Sequence, residues 1–380
     1  MRWASALSRD LDSERALDEA AQRIVVDLGD DRPDLVVVFV SPHHEGVYPR
    51  VPSLLRRSFP SATLLGCSAG GIIGAGHEVE DAPGVSLTAA HLPGVTVSPI
   101  RVASDALPDV AAAPPPAWLL LADPFTFDAE SFVHALDTSF PRSVSVGGLA
   151  SGGRQPGDNA LFLDDAVHLN GLVGVALTGN VTVDTIVAQG CRPIGQPMFV
   201  TRCERNVLHE IDGRRAIVVM QALHDTLSPR DRELLRHSLF LGVVMDETRQ
   251  EYTHGDFLIR NVLGIDPQQG SLVVGTTLHQ GQVVQFHLRD AHTSAEDLTA
   301  LLARYRERPA GSLLFSCLGR GQHLYGQPDH DTEAFRAAVG DVPLGGFFCN
   351  GEIGPVRGRT FLHGYTSAFG LFRPRETARP

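Results

Sequence analysis

Apolar runs separated by polar turns recur three times along this 380-residue chain, in the same order each time. Each occurrence has an apolar strand, a short segment of helical spacing, a second strand and a glycine cluster. The first strands are residues 35–40, 118–122 and 313–317, and the first two copies are offset by about 82 residues. An apolar run of this length is typical of a central strand covered on both faces, so the pattern predicts repeated strand–helix–strand units.

The glycine clusters that end the second strands lie at residues 66–71, 148–153 and 345–351. Glycine tolerates positive φ and leaves the backbone N–H groups open, so such a turn can hold a carboxylate or another anionic group. Equivalent turns on equivalent units are expected to face the same side. The repeats therefore predict turns that converge on one pocket.

Local patterns predict further elements in the N-terminal half. Residues 11–28 carry apolar side chains at helical spacing and predict a helix. The segments 85–97 and 172–183 turn at Pro-Gly and Gly-Asn, and each predicts a β-hairpin. The proline-rich stretch 111–116 predicts a stiff linker between the first two copies.

The amino-acid composition of the chain changes at about residue 200. Residues 216–220 follow an Asp-Gly turn and predict a strand. Ser228 followed by proline predicts the start of a helix that runs to about His237. Residues 272–276 and 283–288 flank Gln-Gly-Gln and predict another hairpin.

Charge and composition narrow the class of protein. The net charge is −12, and all 32 basic residues are arginine. An acidic chain with scattered arginines carries no electrostatic footprint for nucleic acid or an anionic membrane. The chain shows no secretory signal, no stretch of the roughly 18–20 apolar residues that a membrane helix needs, and no cysteine spacing typical of a disulfide framework. We therefore expect a cytoplasmic protein with no nucleic-acid or membrane partner.

Two further blocks are more distinctive than the first glycine turn alone. Residues 255–266 begin Gly-Asp-Phe-Leu-Ile-Arg-Asn, and residues 345–355 contain Gly-Phe-Phe-Cys-Asn-Gly-Glu. In these blocks and in the turn at 66–71 the chain resembles the FIST family, and the resemblance spans residues 30–372. The resemblance implies an intracellular sensory module that binds a small ligand, with amino acids as a proposed ligand class.

The resemblance also implies a domain organisation. It divides the chain into an N-terminal helix (1–29), a FIST N-type domain (30–200) with repeats at 30–110 and 114–190, and a FIST C-type domain (201–375). Many family members carry an attached output domain, and neither end of this sequence has room for one. A signalling role therefore implies a separate partner protein.

The first glycine turn also satisfies the pattern Gly-x-Ser-x-Gly, with Ser68 as its serine. A nucleophile elbow needs a helix directly after that serine, and the residues that follow are too rich in glycine to begin one well. By the 82-residue offset, Ala150 stands where the first copy has Ser68, so the repeated feature is the glycine backbone. A hydrolase using Ser68, or a thiol enzyme using Cys67, is the alternative hypothesis.

Cys67, Cys317 and Cys349 end strands in the predicted pocket region. A buried thiol acts as a small apolar side chain, and a reactive one would need a lowered pKa. The spacings Cys-x-x-Cys and His-x-x-x-His, which often mark zinc sites, do not occur in the sequence. No metal, cofactor or catalytic residue is predicted.

Polar residues beside the turns are candidates for ligand contact. Arg260 could grip a carboxylate through two parallel hydrogen bonds or form an internal ion pair. Glu352 could bind a ligand amine or pair with an arginine such as Arg320, and Asn350 could simply favour its turn. The predicted ligand-binding residues are Gly66, Cys67, Ser68, Gly70, Gly71, Arg260, Asn261, Asn350, Gly351 and Glu352.

The sequence thus predicts an α/β (mixed α+β) protein of two related domains, built from duplicated strand–helix–strand units with appended β-hairpins around mixed sheets. The predicted function is non-catalytic binding of a small polar ligand in a cleft between the domains, lined by the glycine turns. A scaffold whose loops bind another protein is a further alternative.

Overall fold

The computed structural model describes residues 1–104, 106–110 and 114–375. The chain forms two compact units: unit 1 is Met1–Val187 with Leu298–Pro380, and unit 2 is Ala188–Asp297. Within the described ranges, no helix is both long enough and apolar enough to cross a membrane. Of the predicted linker at 111–116, residues 111–113 lie outside the described residues.

The helices include the one predicted near the N-terminus. The α-helices are α1 (Ser13–Leu28), α2 (Val51–Leu55), α3 (Ala129–Ser139), α4 (Ala216–Thr226), α5 (Pro229–Ser238), α6 (Ala291–Leu302), α7 (Gln322–Tyr325) and α8 (His330–Val339), and a 3-10 helix covers Pro42–Arg50. The prediction of a helix over 11–28 is confirmed by α1. Its first turn is capped by Asp12, whose carboxylate accepts a hydrogen bond from the Arg15 N–H at 2.9 Å.

Strands contribute more residues than helices to both units. The first thirteen are β1 (Arg2–Ser8), β2 (Leu35–Val40), β3 (Thr63–Ser68), β4 (Gly71–Gly74), β5 (His77–Glu80), β6 (Val85–His91), β7 (Val95–Val102), β8 (Ala117–Ala122), β9 (Val144–Leu149), β10 (Leu161–Leu163), β11 (Ala166–His168), β12 (Leu172–Gly179) and β13 (Thr182–Gln189). The others are β14 (Cys191–Glu204), β15 (Val207–Ile211), β16 (Arg214–Arg215), β17 (Leu239–Val244), β18 (Phe257–Asp266), β19 (Ser271–Val274), β20 (Val283–Arg289), β21 (Gly311–Cys317), β22 (Leu344–Cys349), β23 (Glu352–Val356), β24 (Arg359–His363) and β25 (Thr366–Arg373).

Unit 1 contains three six-stranded sheets, one for each of the three repeats seen in the sequence. The first sheet has the order β1-β6-β2-β3-β10-β11, the second β7-β12-β8-β9-β23-β24, and the third β13-β25-β21-β22-β4-β5. The parallel pairs β2–β3, β8–β9 and β21–β22 are the two strands of each predicted strand–helix–strand unit. The three repeats are therefore topologically equivalent.

Each parallel pair depends on one glycine for its close approach. A Cβ built on Gly66, Gly147 or Gly346 would lie 2.0, 1.8 or 1.9 Å from a carbonyl oxygen of the neighbouring strand. Because these glycines are equivalent, Ser68 corresponds to Leu149 of the second repeat. The alignment of Ser68 with Ala150 at an offset of 82 was therefore wrong by one residue.

The short hairpin that follows each glycine turn adds to the sheet of a different repeat. Hairpin β4–β5 of the first repeat pairs with β22 of the third. Hairpin β23–β24 of the third pairs with β9 of the second, and hairpin β10–β11 of the second pairs with β3 of the first. The exchange is cyclic, so each sheet of unit 1 is completed by another repeat.

The hairpins predicted at 85–97, 172–183 and 272–288 were wrong in their pairing, although their strands exist. Strand β6 pairs with β1 and β2, whereas β7 pairs with β12 of the next repeat. Strand β13 lies beside β25, while β19 and β20 pair with other strands of unit 2. The turn residues correctly predicted where the chain reverses direction. Which strands pair is decided by the packing of their buried faces, and the sequence does not show which faces pack together.

A shared core joins the three sheets of unit 1. It contains Phe39 and Leu119 from the first strands of two repeats and Phe347 from the third sheet. The rings of Phe39 and Phe347 stack with centroids 4.5 Å apart. Helices cover the outer faces: α1 and α2 on the first sheet, α3 on the second, and α8 on the third, where Phe335 stacks on Phe369.

Unit 2 is a barrel closed by pairing of β14 with β15, in the order β14-β20-β17-β18-β19-β15 with β16 attached to β15. The helix predicted from Ser228 is confirmed as α5. The strand predicted over 216–220 was wrong, because these residues begin helix α4. Ala216, Val219 and Met220 contact the core at spacings of three and four residues, a helical period that a five-residue window does not reveal.

The prediction of a mixed α/β fold in two domains is confirmed. The compact units are not consecutive along the chain, because residues 298–380 return to unit 1. The boundary predicted between 200 and 201 remains a prediction.

Candidate functional site

The three glycine turns of unit 1 contact one another directly. Ser151 Oγ accepts a hydrogen bond from the Gly70 N–H at 2.9 Å and donates one to the Phe348 carbonyl. The Asn350 side-chain amide donates to the Ala150 carbonyl at 3.2 Å, and the Leu149 N–H donates to the Gly351 carbonyl at 2.8 Å. The backbone N–H groups of Gly70 and Leu149 are therefore occupied by acceptors within the protein.

Ser68 lies at the centre of a buried hydrogen-bond chain. Its hydroxyl donates to Asn159 Oδ1 at 3.1 Å and accepts from the Ala160 N–H at 3.0 Å, while the Asn159 amide donates to Asp123 at 2.9 Å. The side chain is fully buried, and strand β4 follows it where a nucleophile elbow would have a helix. The Ser68 side chain therefore connects the glycine turn at 66–71 to Asn159 and Ala160.

The thiols near the turns are poor nucleophiles. Cys67 and Cys349 are fully buried, and burial raises the pKa of each thiol well above its usual value. Burial and the negative charge of Glu352 raise the pKa of Cys317 to about 12. These thiols remain protonated at neutral pH, which disfavours thiol catalysis.

Glu352 is fully buried at the start of β23. Its Oε2 accepts hydrogen bonds from the Thr366 hydroxyl at 2.7 Å and the Thr366 N–H at 3.1 Å, and its Oε1 has no partner among the described residues. Burial raises the pKa of Glu352 to about 8, against the Thr366 hydrogen bonds and the charge of Arg320. A neutral carboxylic acid is expected here at pH 7.

The remaining predicted residues occupy both units. Gly66 and Gly71 are buried in unit 1, where Gly66 belongs to β3 and Gly71 begins β4. Arg260 and Asn261 lie in unit 2 on β18, where Arg260 is partly buried and Asn261 is exposed. That these residues bind one ligand together stays a prediction.

A cavity of about 490 Å³ opens elsewhere in unit 1, beside hairpin β4–β5. Acidic side chains from two parts of the chain line it: Glu78 and Glu80 on β5, and Asp329 just before α8. Leu7, Val79, Ala82 and Pro328 supply apolar wall, and Arg9, His77 and Gln322 complete the lining. The volume lies within the range of small-molecule sites, and the lining is more polar than is usual for them.

Glu78 is the most buried acid of this cavity, with 3% of its surface exposed. Its Oε1 accepts a hydrogen bond from the Thr332 N–H at 2.9 Å, near the start of α8. Its Oε2 has no partner among the described residues. Burial first, and then the negative charge of Asp331, raise the pKa of Glu78 to about 8. A buried carboxylate oxygen without a donor is costly unless a ligand or a proton satisfies it.

The neighbouring groups hold Glu78 in a rigid frame. Asp329 accepts the Glu78 N–H at 2.6 Å and contacts His77 Nδ1 at 3.0 Å, and the Gln322 N–H donates to Glu80 at 2.8 Å. Behind them lies a buried ion pair in which Arg320 holds Asp331 through two contacts of 3.0 Å. Asp331 is buried, yet the charge of Arg320 keeps its pKa well below the usual value.

Family models match most of the chain. The FIST N domain model matches residues 34–214, and the FIST C domain model matches residues 219–355. The chain belongs to the FIST family. The resemblance seen in the sequence is thereby confirmed, and the FIST domains are compatible with a sensory signalling module.

Full-length relatives of this FIST chain occur in mycobacteria. It is 37% identical over 382 residues to the uncharacterized protein MT0656 of Mycobacterium tuberculosis, covering 98% of this chain and 100% of the relative. It is 38% identical over 382 residues to the uncharacterized protein Mb0898c of Mycobacterium bovis, covering 98% and 99%. The F-box/LRR-repeat protein At5g63520 of Arabidopsis thaliana is 26% identical over 311 residues, covering 67% of this chain and 57% of that protein.

Both FIST domains contribute to the acidic cavity. Glu78 and Glu80 lie in the FIST N match, whereas Gln322 and Asp329 lie in the FIST C match. Sequence analysis missed this site. The available signal was the segment His77-Glu78-Val79-Glu80, in which two acids sit two residues apart and therefore on one face of a strand. Only the exchange of hairpin β4–β5 into the third sheet brings that face against Asp329.

Proposed function

We propose that this FIST chain is a non-catalytic sensory module of intracellular signal transduction that binds a small polar molecule in the acidic cavity of unit 1. The observation that carries the proposal is the cavity of about 490 Å³ lined by Glu78, a residue whose buried Oε2 has no partner among the described residues. A folded protein rarely leaves such an oxygen unsatisfied without a functional reason.

The position of the cavity supports a sensory role. Glu78 contacts the first turn of α8 through Thr332, and the Arg320–Asp331 ion pair lies directly behind it. A ligand that changes the charge or hydrogen bonding of Glu78 therefore acts on a helix start and a buried ion pair. Such a change can be passed to a separate partner protein in the cytoplasm, which is part of the proposal.

A ligand screen tests the proposed function. Binding of small polar metabolites to the full chain is measured by thermal shift, and at least one is expected to raise the melting temperature, because a ligand that binds only the folded state stabilises it. Ala82→Phe, which places a ring in the cavity, should abolish the shift. The control Ala166→Phe changes an exposed strand residue and should retain it. A screen in which nothing stabilises the protein would reject the sensory proposal.

The enzyme hypothesis finds no support in the geometry of Ser68 or Cys67. The Ser68 hydroxyl is buried and already both donates and accepts a hydrogen bond, and the Cys67 thiol is buried and protonated. Ester or thioester turnover by the full chain that vanished in Ser68→Ala or Cys67→Ala would overturn this assignment.

A further inference from the structure

We propose that Cys317 and Cys349 form a redox switch, in which their two thiols are oxidised to a disulfide between the ends of β21 and β22. The oxidant is a low-molecular-weight disulfide such as oxidised glutathione. This inference goes beyond the proposed function, because it does not depend on a ligand in the acidic cavity.

The two cysteines are direct neighbours in the third sheet of unit 1. Each is the last residue of its strand, and Cys317 is the register partner of Cys349 in the parallel pair β21–β22. Neighbouring strands lie about 4.8 Å apart, within the Cα separation of about 4.4–6.8 Å that a disulfide spans. Phe315 and Phe347, two residues earlier, meet edge to face in the shared core, so both thiols belong to the same face of the sheet. Both thiols are free.

The thiol pair occurs in the third repeat and in neither of the others. Because the close-packed glycines of the three repeats are equivalent, the registers of the parallel pairs assign an equivalent to each cysteine. The equivalent pairs are Ser41 with Ala69 and Asp123 with Ala150. The fold therefore needs no thiol at either position.

The surroundings of Cys317 suit it to react first. Its Sγ accepts hydrogen bonds from the Gly319 N–H at 3.4 Å and from the Tyr365 backbone N–H. Burial first, and then the charge of Glu352, raise the pKa of Cys317, and these two donors act in the opposite direction. Cys317 is half-buried whereas Cys349 is fully buried, so a reagent reaches Cys317 first.

The raised pKa of both thiols favours a stable disulfide over a reactive thiolate. A dithiol whose thiols ionise easily is stabilised in its reduced form, which makes the corresponding disulfide strongly oxidising. Neither thiol gains that stabilisation at neutral pH, because burial raises the pKa of each well above its usual value. The pair should therefore exchange slowly and, once oxidised, stay oxidised until a reductant is in excess.

The reaction consists of two thiol–disulfide exchanges. The Cys317 sulfur attacks one sulfur of oxidised glutathione, whose S–S bond breaks and releases one glutathione thiolate. The Cys349 sulfur then attacks the mixed disulfide at Cys317 and releases the second glutathione thiolate. The two thiol protons pass to these thiolates, so one S–S bond forms as one breaks, and two electrons pass to glutathione.

The disulfide acts on the buried ion pair behind it. The Arg320 N–H donates to the Cys317 carbonyl at 2.8 Å, and the Leu318 N–H donates to the Cys349 carbonyl at 3.0 Å. The same turn thus holds both strand ends and carries the arginine that binds Asp331. Drawing the strand ends together moves this turn, so the oxidation state is passed to the start of α8.

Peptide mapping of the full chain in glutathione buffers tests the switch. After equilibration in excess oxidised glutathione, digestion without a reductant should yield the peptides of Cys317 and Cys349 joined by a disulfide. Dithiothreitol should restore both thiols. A chain in which both thiols stay reduced, or in which Cys349 is joined to Cys67, would overturn the proposal.

Variants test the order of the two exchanges. Cys349→Ala should trap glutathione on Cys317, because the second exchange is missing, whereas Cys317→Ala should leave Cys349 unmodified. Cys67→Ala removes the other fully buried thiol that interacts with Cys349 and should keep the disulfide. Equal trapping on Cys317 and on Cys349 in these variants would contradict the assigned order. If a variant does not fold, the peptide map of the unchanged chain decides whether the disulfide forms.

Discussion

At the scale of single residues, Gly66, Gly147 and Gly346 allow the parallel strands of unit 1 to pack as closely as they do. Gly66→Ala would place a Cβ 2.0 Å from the Val38 carbonyl oxygen. Because this contact is with backbone in a fully buried sheet, neither partner can move away cheaply. We expect a loss of about 3 kcal/mol or more in the free energy of unfolding, measured by urea denaturation.

A matched glycine provides the control for that substitution. Gly46 lies in the 3-10 helix, and a Cβ there would meet no atom within 4 Å. Gly46→Ala should change the free energy of unfolding by about 0.5 kcal/mol or less. A small increase in that free energy would also agree with the steric explanation. Equal losses for Gly66→Ala and Gly46→Ala would contradict the steric explanation.

Glu352 makes the stability of the protein depend on pH. Its pKa of about 8 lies above the value of about 4.3 in an unfolded chain, so between these values only the folded state keeps the proton. Stability should therefore fall as the pH rises through this window, by up to about 1.4 kcal/mol per pH unit, and Glu78 adds a change of the same sign.

Denaturation midpoints at pH 5, 6, 7 and 8 test this expectation. Glu352→Gln cannot ionise and should show a flatter decline than the unchanged chain. Glu251→Gln alters an exposed acid and should leave the decline as it was. A Glu352→Gln profile parallel to that of the unchanged chain would show that Glu352 does not titrate as proposed.

At the scale of elements, helices α1, α3 and α5 each begin at a side-chain cap, and α3 offers a test of its contribution. The Asp128 side chain accepts a hydrogen bond from the Ser131 N–H at 3.1 Å at the start of α3. Asp128→Ala should lower the free energy of unfolding by about 1 kcal/mol, because it leaves a helix N–H without a partner. Asp128→Asn, also a good cap, should lose clearly less, and thermal unfolding of both variants measures the difference.

The elements also show where local patterns stop being informative. The turn chemistry at Pro-Gly and Gly-Asn identified the strands β6, β7, β12 and β13, because it is a local signal. It did not identify their partners, which lie up to a whole repeat away. The exchange of hairpin β4–β5 was hidden for the same reason, since Ile72 and Ile73 are apolar whichever sheet they join.

At the scale of the whole molecule, unit 1 is assembled from both ends of the chain. A chain that stops at residue 214 keeps the FIST N match but lacks β21–β25, which form half of the third sheet and complete the second. Hairpin β4–β5 would lose its sheet, and the shared core would lose Phe347 and Phe315.

We therefore expect this truncated chain not to unfold cooperatively. The full chain should give a single sharp transition for unit 1 in circular dichroism on heating, and the 1–214 chain should give a broad one. A sharp transition in the 1–214 chain would show that the FIST N match folds alone, and that the exchanged hairpin is dispensable.

The sequence by itself determined the repeated strand–helix–strand units, the glycine turns, helix α1, helix α5 and the family, because each depends on residues close together in the chain. It also singled out Glu352 as a candidate for contact with a ligand amine or an arginine. Only the tertiary structure decided that the turns bind one another, that the Ser68 hydroxyl is buried, and that Glu78 of one repeat meets Asp329 of another. Those features depend on which sheet each hairpin joins. Long-range packing determines this, and the hairpin strands are equally apolar whichever sheet they join, so their sequence does not reveal it.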